Sequence, residues 1–371
     1  MQRRFDAAAA LCQQAVDGGV VPGLVLLAAS EGIVRFHEAF GHRQLTPRRL
    51  PALPDTVFDV ASLTKAVATS VVAMQLCERG ALGLEDPVRQ HIPEFSAGPD
   101  RDLVTVRLLL CHAGGLPAHR PFFRTIPAAP SGRWAIALGA AREPLAYAPG
   151  TRSLYSDLGF ILLGWLLERV AGQRLDVQVD RGITAPLGLE STTFVNLADS
   201  EARARLLANR TVAATQQSPE RHRVVLGEVD DMNCFAMGGI AGHAGLFSSA
   251  ADLGAIAGAL AAAWRGDAEA PLVGRDVIRR FWSPAGVPDS VWRLGWDGPS
   301  PGASQAGTRL PRAAVGHLGF TGCSLWIDPA RALWIVLLTN RVHPQPAAAT
   351  DDRFRRFRPA LHDAVLDALG S

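Results

Sequence analysis

The chain has 371 residues, with 37 Lys and Arg against 35 Asp and Glu, which gives a formal net charge of +2 at pH 7. This near balance gives no reason to expect binding to nucleic acid or to an anionic membrane surface. Hydrophobic residues make up 48% of the chain and charged residues 19%, a composition typical of a globular protein with a substantial core. The length allows two domains or one large one.

The cysteines and the N-terminus bear on cofactors and location. The cysteines are widely spaced and odd in number, so they predict neither a metal site nor a disulfide framework, and a reducing compartment fits best. The N-terminal segment has two arginines and then an amphipathic helix carrying Asp6, unlike the uninterrupted apolar core of a signal peptide. No run approaches the ~18 apolar residues that cross a bilayer. We expect a cytoplasmic protein with no cofactor, metal or membrane span; if a leader is missing from the sequence, we expect a periplasmic one.

The first 80 residues predict a helix, two strands and a buried helix. Apolar residues from Phe5 to Val16 have helical spacing, and residues 23–30 and 33–40 predict two strands joined by a turn. Residues 63–76 are apolar nearly all round, which predicts a buried helix ended by Gly80.

The remainder is helix-rich and then returns to strands. The clearest central helix covers residues 158–172, and another covers 251–264. Residues 323–328 and 332–339 predict strands around a turn, and Phe354 to Leu369 a closing helix. Strands at both ends predict an α/β fold with one antiparallel sheet built from both termini, flanked by helices, and an inserted helical domain. We expect a discontinuous sheet domain of residues 1–61 and 232–371, a mostly helical domain of 62–231, and the active site in the cleft between them.

Lys65 is the only lysine among the 37 basic residues, so the other 36 are arginine. Arginine stays charged at any ordinary pH, whereas the lysine pKa of about 10.4 can be shifted by burial or by neighbouring charges. Ser62 lies three residues earlier, so a helix beginning there stacks hydroxyl and ammonium on one face, beside free N–H groups. This pattern indicates an activated serine nucleophile. The alternative, a surface lysine, conflicts with the apolar flanking residues.

Ser62 and Lys65 resemble the Ser-x-x-Lys motif of the serine β-lactamase and penicillin-binding-protein superfamily. Further segments, in the expected order from about residue 55 to about 344, resemble its class-C-like branch of esterases, D-amino-acid peptidases and muropeptide amidases. Those segments are 104–117, 147–172, 185–194, 238–253, 315–322 and 337–344. The resemblance implies the β-lactamase/transpeptidase-like fold and acyl-enzyme chemistry.

The second motif, Tyr-x-Asn in most relatives, is Tyr155-Ser156-Asp157 here. The resemblance implies that Tyr155 takes the Ser62 proton, with Lys65 holding the phenol deprotonated or sharing the proton. Asp157 departs from the pattern because a carboxylate only accepts hydrogen bonds. Three roles stay open for it: pairing with Lys65 and raising its pKa, binding a substrate N–H, or capping the following helix.

The third motif, usually Lys-Thr-Gly, is His317-Leu318-Gly319. We expect His317 to be partly charged at neutral pH and to take part in catalysis; the alternative is a core histidine. Gly319 would let the strand edge approach the substrate. The resemblance implies that the backbone N–H of Phe320 joins that of Ser62 in binding the oxyanion.

Three further residues have open roles. His243, among glycines, either lines the site or belongs to a turn. Arg341 either binds a substrate carboxylate in place of the missing lysine or is an ordinary surface arginine. His112 lies in a matched segment and is expected to be structural.

These patterns predict a serine hydrolase that acts through a Ser62 acyl-enzyme on amide or ester bonds. The favoured substrates are peptidoglycan-derived fragments in cell-wall recycling, with a muropeptide amidase or D-amino-acid peptidase activity. The alternatives are a small-ester carboxylesterase, a weak β-lactamase and, from another class, a penicillin-binding sensor that acylates without turnover. The sequence leaves the oligomeric state open.

Overall fold

The computed structural model describes residues 2–96, 98–126, 128, 132–267, 271–302, 304–345 and 352–370. The strands are β1 (Gly23–Ser30), β2 (Ile33–Gln44), β3 (Leu50–Pro51), β4 (Phe58–Asp59), β5 (Thr193–Phe194), β6 (Ala214–Ser218), β7 (Arg223–Leu226), β8 (Leu246–Ser248), β9 (Val315–Leu318), β10 (Ser324–Asp328) and β11 (Leu333–Thr339). The helices are α1 (Asp6–Asp17), α2 (Val71–Glu78), α3 (Val88–His91), α4 (Val106–Leu110), α5 (Gly132–Arg142), α6 (Asp157–Ala171), α7 (Leu175–Val179), α8 (Ala185–Leu187), α9 (Ala202–Asn209), α10 (Met232–Ala236), α11 (Ala250–Arg265), α12 (Arg275–Trp282) and α13 (Asp352–Leu369).

The principal sheet is antiparallel and has six strands in the order β3-β2-β1-β11-β10-β9. The first strand and the last lie side by side at its centre, with Leu26 opposite Leu337. The expected sheet from both chain ends is therefore confirmed. The second strand continues to Gln44, beyond the predicted residue 40.

Alternation along β1 divides the core between the two faces of the sheet, because successive side chains of a strand point in opposite directions. Leu24 and Leu26 belong to a cluster with α1 and α13. Val25 and Leu27 belong to the larger cluster, which continues through α11 into the buried faces of α2 and α6. The sheet and the central helices thus share one continuous apolar core.

Between residues 62 and 231 the described regular elements are helices more often than strands, and the strands there, β5, β6 and β7, are short. Among the described helices, none combines the length and apolarity that crossing a bilayer requires. The predicted buried helix is present, but its first part, Lys65–Ser70, is a π-helical turn that continues into α2. Within this wider turn the Ser70 hydroxyl donates to the Lys65 carbonyl at 2.7 Å. Such turns are frequent at functional sites.

A close contact between glycines places the loop at residues 238–245 against two helices. A Cβ at Gly164 of α6 would lie 2.8 Å from the backbone nitrogen of Gly242. The Gly242 carbonyl accepts a hydrogen bond from the Thr69 hydroxyl at 2.7 Å. The helix and the loop therefore approach backbone to backbone, and this contact sets the position of His243.

We predict that Gly164→Ala lowers the free energy of unfolding by about 1–3 kcal/mol, because the added methyl group must displace backbone rather than a flexible side chain. The matched control is Gly159→Ala in the same helix, where a Cβ would meet its nearest neighbours at 3.8 Å. That control should be neutral or stabilising by up to about 1 kcal/mol. Urea unfolding measures both, and equal stability of the two variants would contradict the packing described.

Candidate active site

Ser62 lies in the turn that leads into the buried helix, and its side chain is half-buried. The preceding residue, Ala61, has a φ of 48°, in the left-handed region that residues with a side chain rarely adopt. The Ala61 N–H donates to Asp59 Oδ1 at 2.8 Å, which holds the turn. The Ser62 hydroxyl is thereby fixed at the start of the helix.

Lys65 is completely buried, and its ammonium makes three hydrogen bonds. Nζ donates to Ser62 Oγ at 3.0 Å, to Asp157 Oδ1 at 2.8 Å and to the His243 carbonyl at 2.9 Å. An ammonium has three donors, so all three are used. Burial by itself lowers the pKa of Lys65, but Asp157 and Tyr155 outweigh it, and the net shift of the pKa is upward. Lys65 is therefore an ammonium at neutral pH.

Asp157 is the first residue of α6 and lies between two basic side chains. Its Oδ1 pairs with Lys65, and its Oδ2 is 3.5 Å from His119 Nδ1. Burial raises the pKa of this carboxyl, but Lys65 and His119 together lower it by more than burial raises it. The net shift of the pKa is downward, and the carboxyl is ionised at neutral pH. The helix cap is Ser156, whose hydroxyl accepts from the Gly159 N–H at 3.2 Å. The structure thus pairs Asp157 with Lys65 and gives the capping role to its neighbour.

Tyr155 faces Lys65, whose Nζ lies 4.9 Å from the centre of the phenol ring. Burial raises the pKa of Tyr155, and Asp157 raises it further. Lys65 and Ser62 act in the opposite direction without cancelling the rise. The ammonium favours the phenolate, as expected, but burial outweighs it, so the expected ionised phenol is wrong for the free protein. At neutral pH this phenol carries its proton.

An aromatic cluster surrounds Tyr155. Its ring centre lies 5.6 Å from that of Trp292, with the planes nearly parallel, and 4.7 Å from that of His112. His112 Nδ1 accepts the Ser156 N–H at 3.1 Å, so this histidine, expected to be structural, also positions the second motif. Burial, together with Lys65 and His317, lowers the pKa of His112 well below its usual range. The cluster therefore adds no charge beside the phenol.

Sequence reasoning missed Trp292 and His119. Trp292 lies in an irregular stretch outside every matched segment, so no local pattern points to it. His119 follows the matched segment 104–117 by two residues, and that proximity is the one signal that could have found it.

His317 is buried on β9, with Nδ1 2.8 Å from the Leu318 carbonyl. Burial, and then Lys65, lowers the pKa of His317 to about 3. The expected partial charge is therefore wrong: the ring is neutral at pH 7, with its proton on the nitrogen that faces the carbonyl. Its Nε2 has no hydrogen-bond partner among the described residues. The third motif thus supplies no cation.

The turn after β9 lies against the Ser62 segment. A Cβ at Gly319 would lie 2.6 Å from the Val60 carbonyl, so only glycine fits this contact between backbones. Within the described part of the chain, the N–H groups of Ser62 and Phe320 have no hydrogen-bond acceptor. Two unpaired amides on adjoining segments are what an oxyanion site requires.

Arg341 and His243 support neighbouring backbone. Arg341 is largely buried and donates to the Phe320 carbonyl from Nη2 at 2.9 Å and from Nε at 3.2 Å. It is therefore not a surface arginine, and its guanidinium holds the Phe320 turn; a role in binding a substrate carboxylate stays a prediction. His243 is buried, with Nε2 2.9 Å from Asp231 Oδ1, and it reaches the site through the carbonyl that accepts from Lys65.

Comparison with known proteins identifies the family. The family model described as Beta-lactamase matches residues 8–358. The chain belongs to the beta-lactamase family. A protein of Escherichia coli (strain K12), named as a candidate D-alanyl-D-alanine carboxypeptidase, is 30% identical over 359 residues, covering 89% of this chain and 80% of that protein. The N-acetylmuramyl-L-alanine amidase of Bacillus subtilis (strain 168) is 30% identical over 346 residues, covering 87% and 78%.

Solved structures agree on the fold. The structure titled "EstCE1, a hydrolase with promiscuous acyltransferase activity" superposes with a TM-score of 0.75 at 22% identity, covering 98% of each chain. This beta-lactamase-family protein is therefore a hydrolase of the serine β-lactamase fold.

We predict that Asp157→Asn moves the rise of kcat/KM with pH, which follows ionisation of the proton acceptor, to lower pH. The carboxylate raises the pKa of both Lys65 and Tyr155, so its loss lowers both and makes a proton acceptor available nearer neutrality. Profiles from pH 5 to pH 11, with an ester substrate, measure the shift. Asp176→Asn, at an exposed pair with Arg174, serves as the control. A profile in Asp157→Asn that matches the wild type, or that moves to higher pH, would contradict the assignment.

Proposed function

We propose that this protein hydrolyses amide or ester bonds through a covalent acyl-enzyme on Ser62. The observation that carries the proposal is the 3.0 Å contact between Lys65 Nζ and Ser62 Oγ, made by an ammonium that is itself fixed by Asp157 and a backbone carbonyl. A buried cation beside a half-exposed hydroxyl stabilises negative charge on the serine oxygen.

The proposed acylation begins when Ser62 Oγ attacks the substrate carbonyl carbon. The reaction uses the fraction of molecules in which Tyr155 is ionised, a fraction that grows as the pH rises toward the raised pKa of this phenol. The serine proton passes to that phenolate, and Lys65 keeps its charge beside Ser62 Oγ. The N–H groups of Ser62 and Phe320 bind the oxyanion. The bond to the leaving group then breaks, and Tyr155 returns the proton to the departing nitrogen or oxygen. Water releases the acyl group from Ser62 by the same proton route in reverse.

The charges in the site favour one substrate type among peptidoglycan-derived fragments. A D-alanyl-D-alanine terminus carries a carboxylate on the leaving group, whereas the amide between N-acetylmuramic acid and L-alanine has none beside it. His317 is neutral, and Arg341 donates to the Phe320 carbonyl. We therefore propose an amidase of the muramyl-alanine type, which the similarity to the B. subtilis amidase supports.

The cytoplasmic location and the division into two domains remain predictions.

We predict that a fluorophosphonate adds once to the protein and that Ser62→Ala abolishes both the adduct and substrate turnover. The hydroxyl is the only attacking atom in the scheme, so its loss removes covalent chemistry while leaving the core unchanged. Intact mass spectrometry followed by peptide mapping locates the adduct. Ser283→Ala, an exposed serine whose hydroxyl donates to the Arg279 carbonyl, is the matched control and should label normally.

Substrate comparison separates the remaining candidates. N-acetylmuramyl-L-alanyl peptides with an amidated end should be cleaved faster than D-alanyl-D-alanine peptides or an anionic chromogenic cephalosporin. Preference for p-nitrophenyl esters alone would assign the protein as an esterase. One equivalent of product followed by a stable adduct would assign it as a sensor. An adduct on any residue other than Ser62 would overturn the proposal.

A further inference from the structure

Asp59, three residues before Ser62, is buried and bound to three segments of the site. Its Oδ1 accepts the Ala61 N–H at 2.8 Å, and its Oδ2 accepts the Asp230 N–H at 2.7 Å. Its backbone carbonyl accepts the Thr321 hydroxyl at 2.9 Å. One residue therefore joins the Ser62 turn, the loop before α10 and the turn that carries Phe320.

These contacts reach both N–H groups of the proposed oxyanion site. Ala61 has the unfavourable φ of 48°, and the hydrogen bond to Oδ1 fixes the peptide immediately before Ser62. Thr321 follows Phe320, so its bond to the Asp59 carbonyl ties the second turn to the first. A shift of Asp59 would therefore change the spacing between the two donors.

The N–H groups of Ala61 and Asp230 each donate to one side-chain oxygen of residue 59, so both of those oxygens must act as hydrogen-bond acceptors. An ionised carboxylate has only acceptors, whereas an asparagine amide or a protonated carboxyl turns one position into a donor. That donor would face the N–H of Ala61 or of Asp230. The ionised form is thus the one that holds both segments.

We propose that the Asp59 carboxylate is a positioning residue that sets the spacing of the Ser62 and Phe320 N–H groups, and that its protonation reduces catalysis. The inference rests on the proposed acyl-enzyme function and adds a regulation of the same site by pH. Asp59 acts through the backbone of its neighbours and does not touch the substrate.

The surroundings of Asp59 place its titration near neutrality. Burial is the main cause that raises the pKa of Asp59 to about 7, and the carboxylate of Asp230 adds to the rise. The N–H groups of Asp230 and Ala61 oppose it. Charged and titratable groups face Asp59 from the loop before α10, from α10 itself, from the β6–β7 hairpin and from the start of β10. They are Asp230, Asp231, Cys234, Arg221 and Cys323.

Stability and activity should depend on pH in opposite directions. The folded protein binds the Asp59 proton more tightly than the unfolded chain, because the folded pKa of about 7 exceeds the ordinary value of 3.8. The contribution of this group to stability is therefore full below about pH 4 and declines as the pH rises to about 7. The proposal predicts that kcat rises over the upper part of the same pH range, because the Asp59 carboxyl ionises there.

The test measures kcat, KM and the rate of Ser62 labelling by a fluorophosphonate from pH 5 to pH 9. In Asp59→Asn we expect kcat to fall about tenfold to a hundredfold, since loss of an oxyanion donor costs about 10²–10³ and displacement costs less. KM should change little. The inflection of kcat near pH 7, called here the acidic limb, should disappear and leave only the rise toward the higher pKa of Tyr155. Asp328→Asn is the control, because Asp328 is also buried and caps the β10–β11 turn. It should keep both the limb and the wild-type kcat.

A second variant keeps the proposal testable if Asp59→Asn does not fold. Asp230→Asn removes the like charge that raises the pKa of Asp59, so the acidic limb should move to lower pH while Asp59 stays in place. A limb that persists in Asp59→Asn, or that does not move in Asp230→Asn, overturns the role of Asp59. Absence of labelling on wild-type Ser62 at every pH would instead overturn the proposed function itself.

Discussion

The site is organised around one buried ion pair, between Lys65 and Asp157. An ammonium that loses all contact with water is destabilising unless charged and polar acceptors replace the solvent. Here the acceptors come from three places: the Ser62 turn, the first residue of α6 and the loop at His243. Removing one partner of such a pair typically costs about 3–5 kcal/mol. The segments that meet at Lys65 therefore cannot move independently.

The same pair governs where protons reside. With Asp157 beside it, the lysine keeps its charge, and the carboxylate opposes part of the effect of that charge on the pKa of the Tyr155 phenol. Burial then dominates, and the phenol keeps its proton as well. The Tyr-x-Asn motif that this sequence resembles has an amide at this position, and an amide would leave the ammonium free to favour the phenolate. Because Asp157 raises the pKa of both Lys65 and Tyr155, a carboxylate at this position shifts proton transfer toward higher pH than an amide would.

Much of the fold and the centre of the site could be predicted from the sequence. Strand patterns at both termini predicted the sheet, because alternation is a local property that each strand carries by itself. The stacking of Lys65 on Ser62 follows from a spacing of three residues on a helix. The charge states of His317 and Tyr155 were predicted wrongly, because they depend on burial by distant segments. The burial of Arg341 could not be predicted for the same reason: its partner, the Phe320 carbonyl, lies 21 residues away on another turn. Trp292 reaches the phenol only through tertiary packing.

The most direct test of the account is the titration of Lys65 itself. Because the chain has a single lysine, protein grown with lysine labelled with ¹³C at Cε and ¹⁵N at Nζ gives one side-chain NMR signal. The account predicts that this signal stays that of an ammonium up to and beyond the ordinary lysine pKa of 10.5. A titration midpoint near neutrality, as expected for a lysine that acts as a general base, would contradict it.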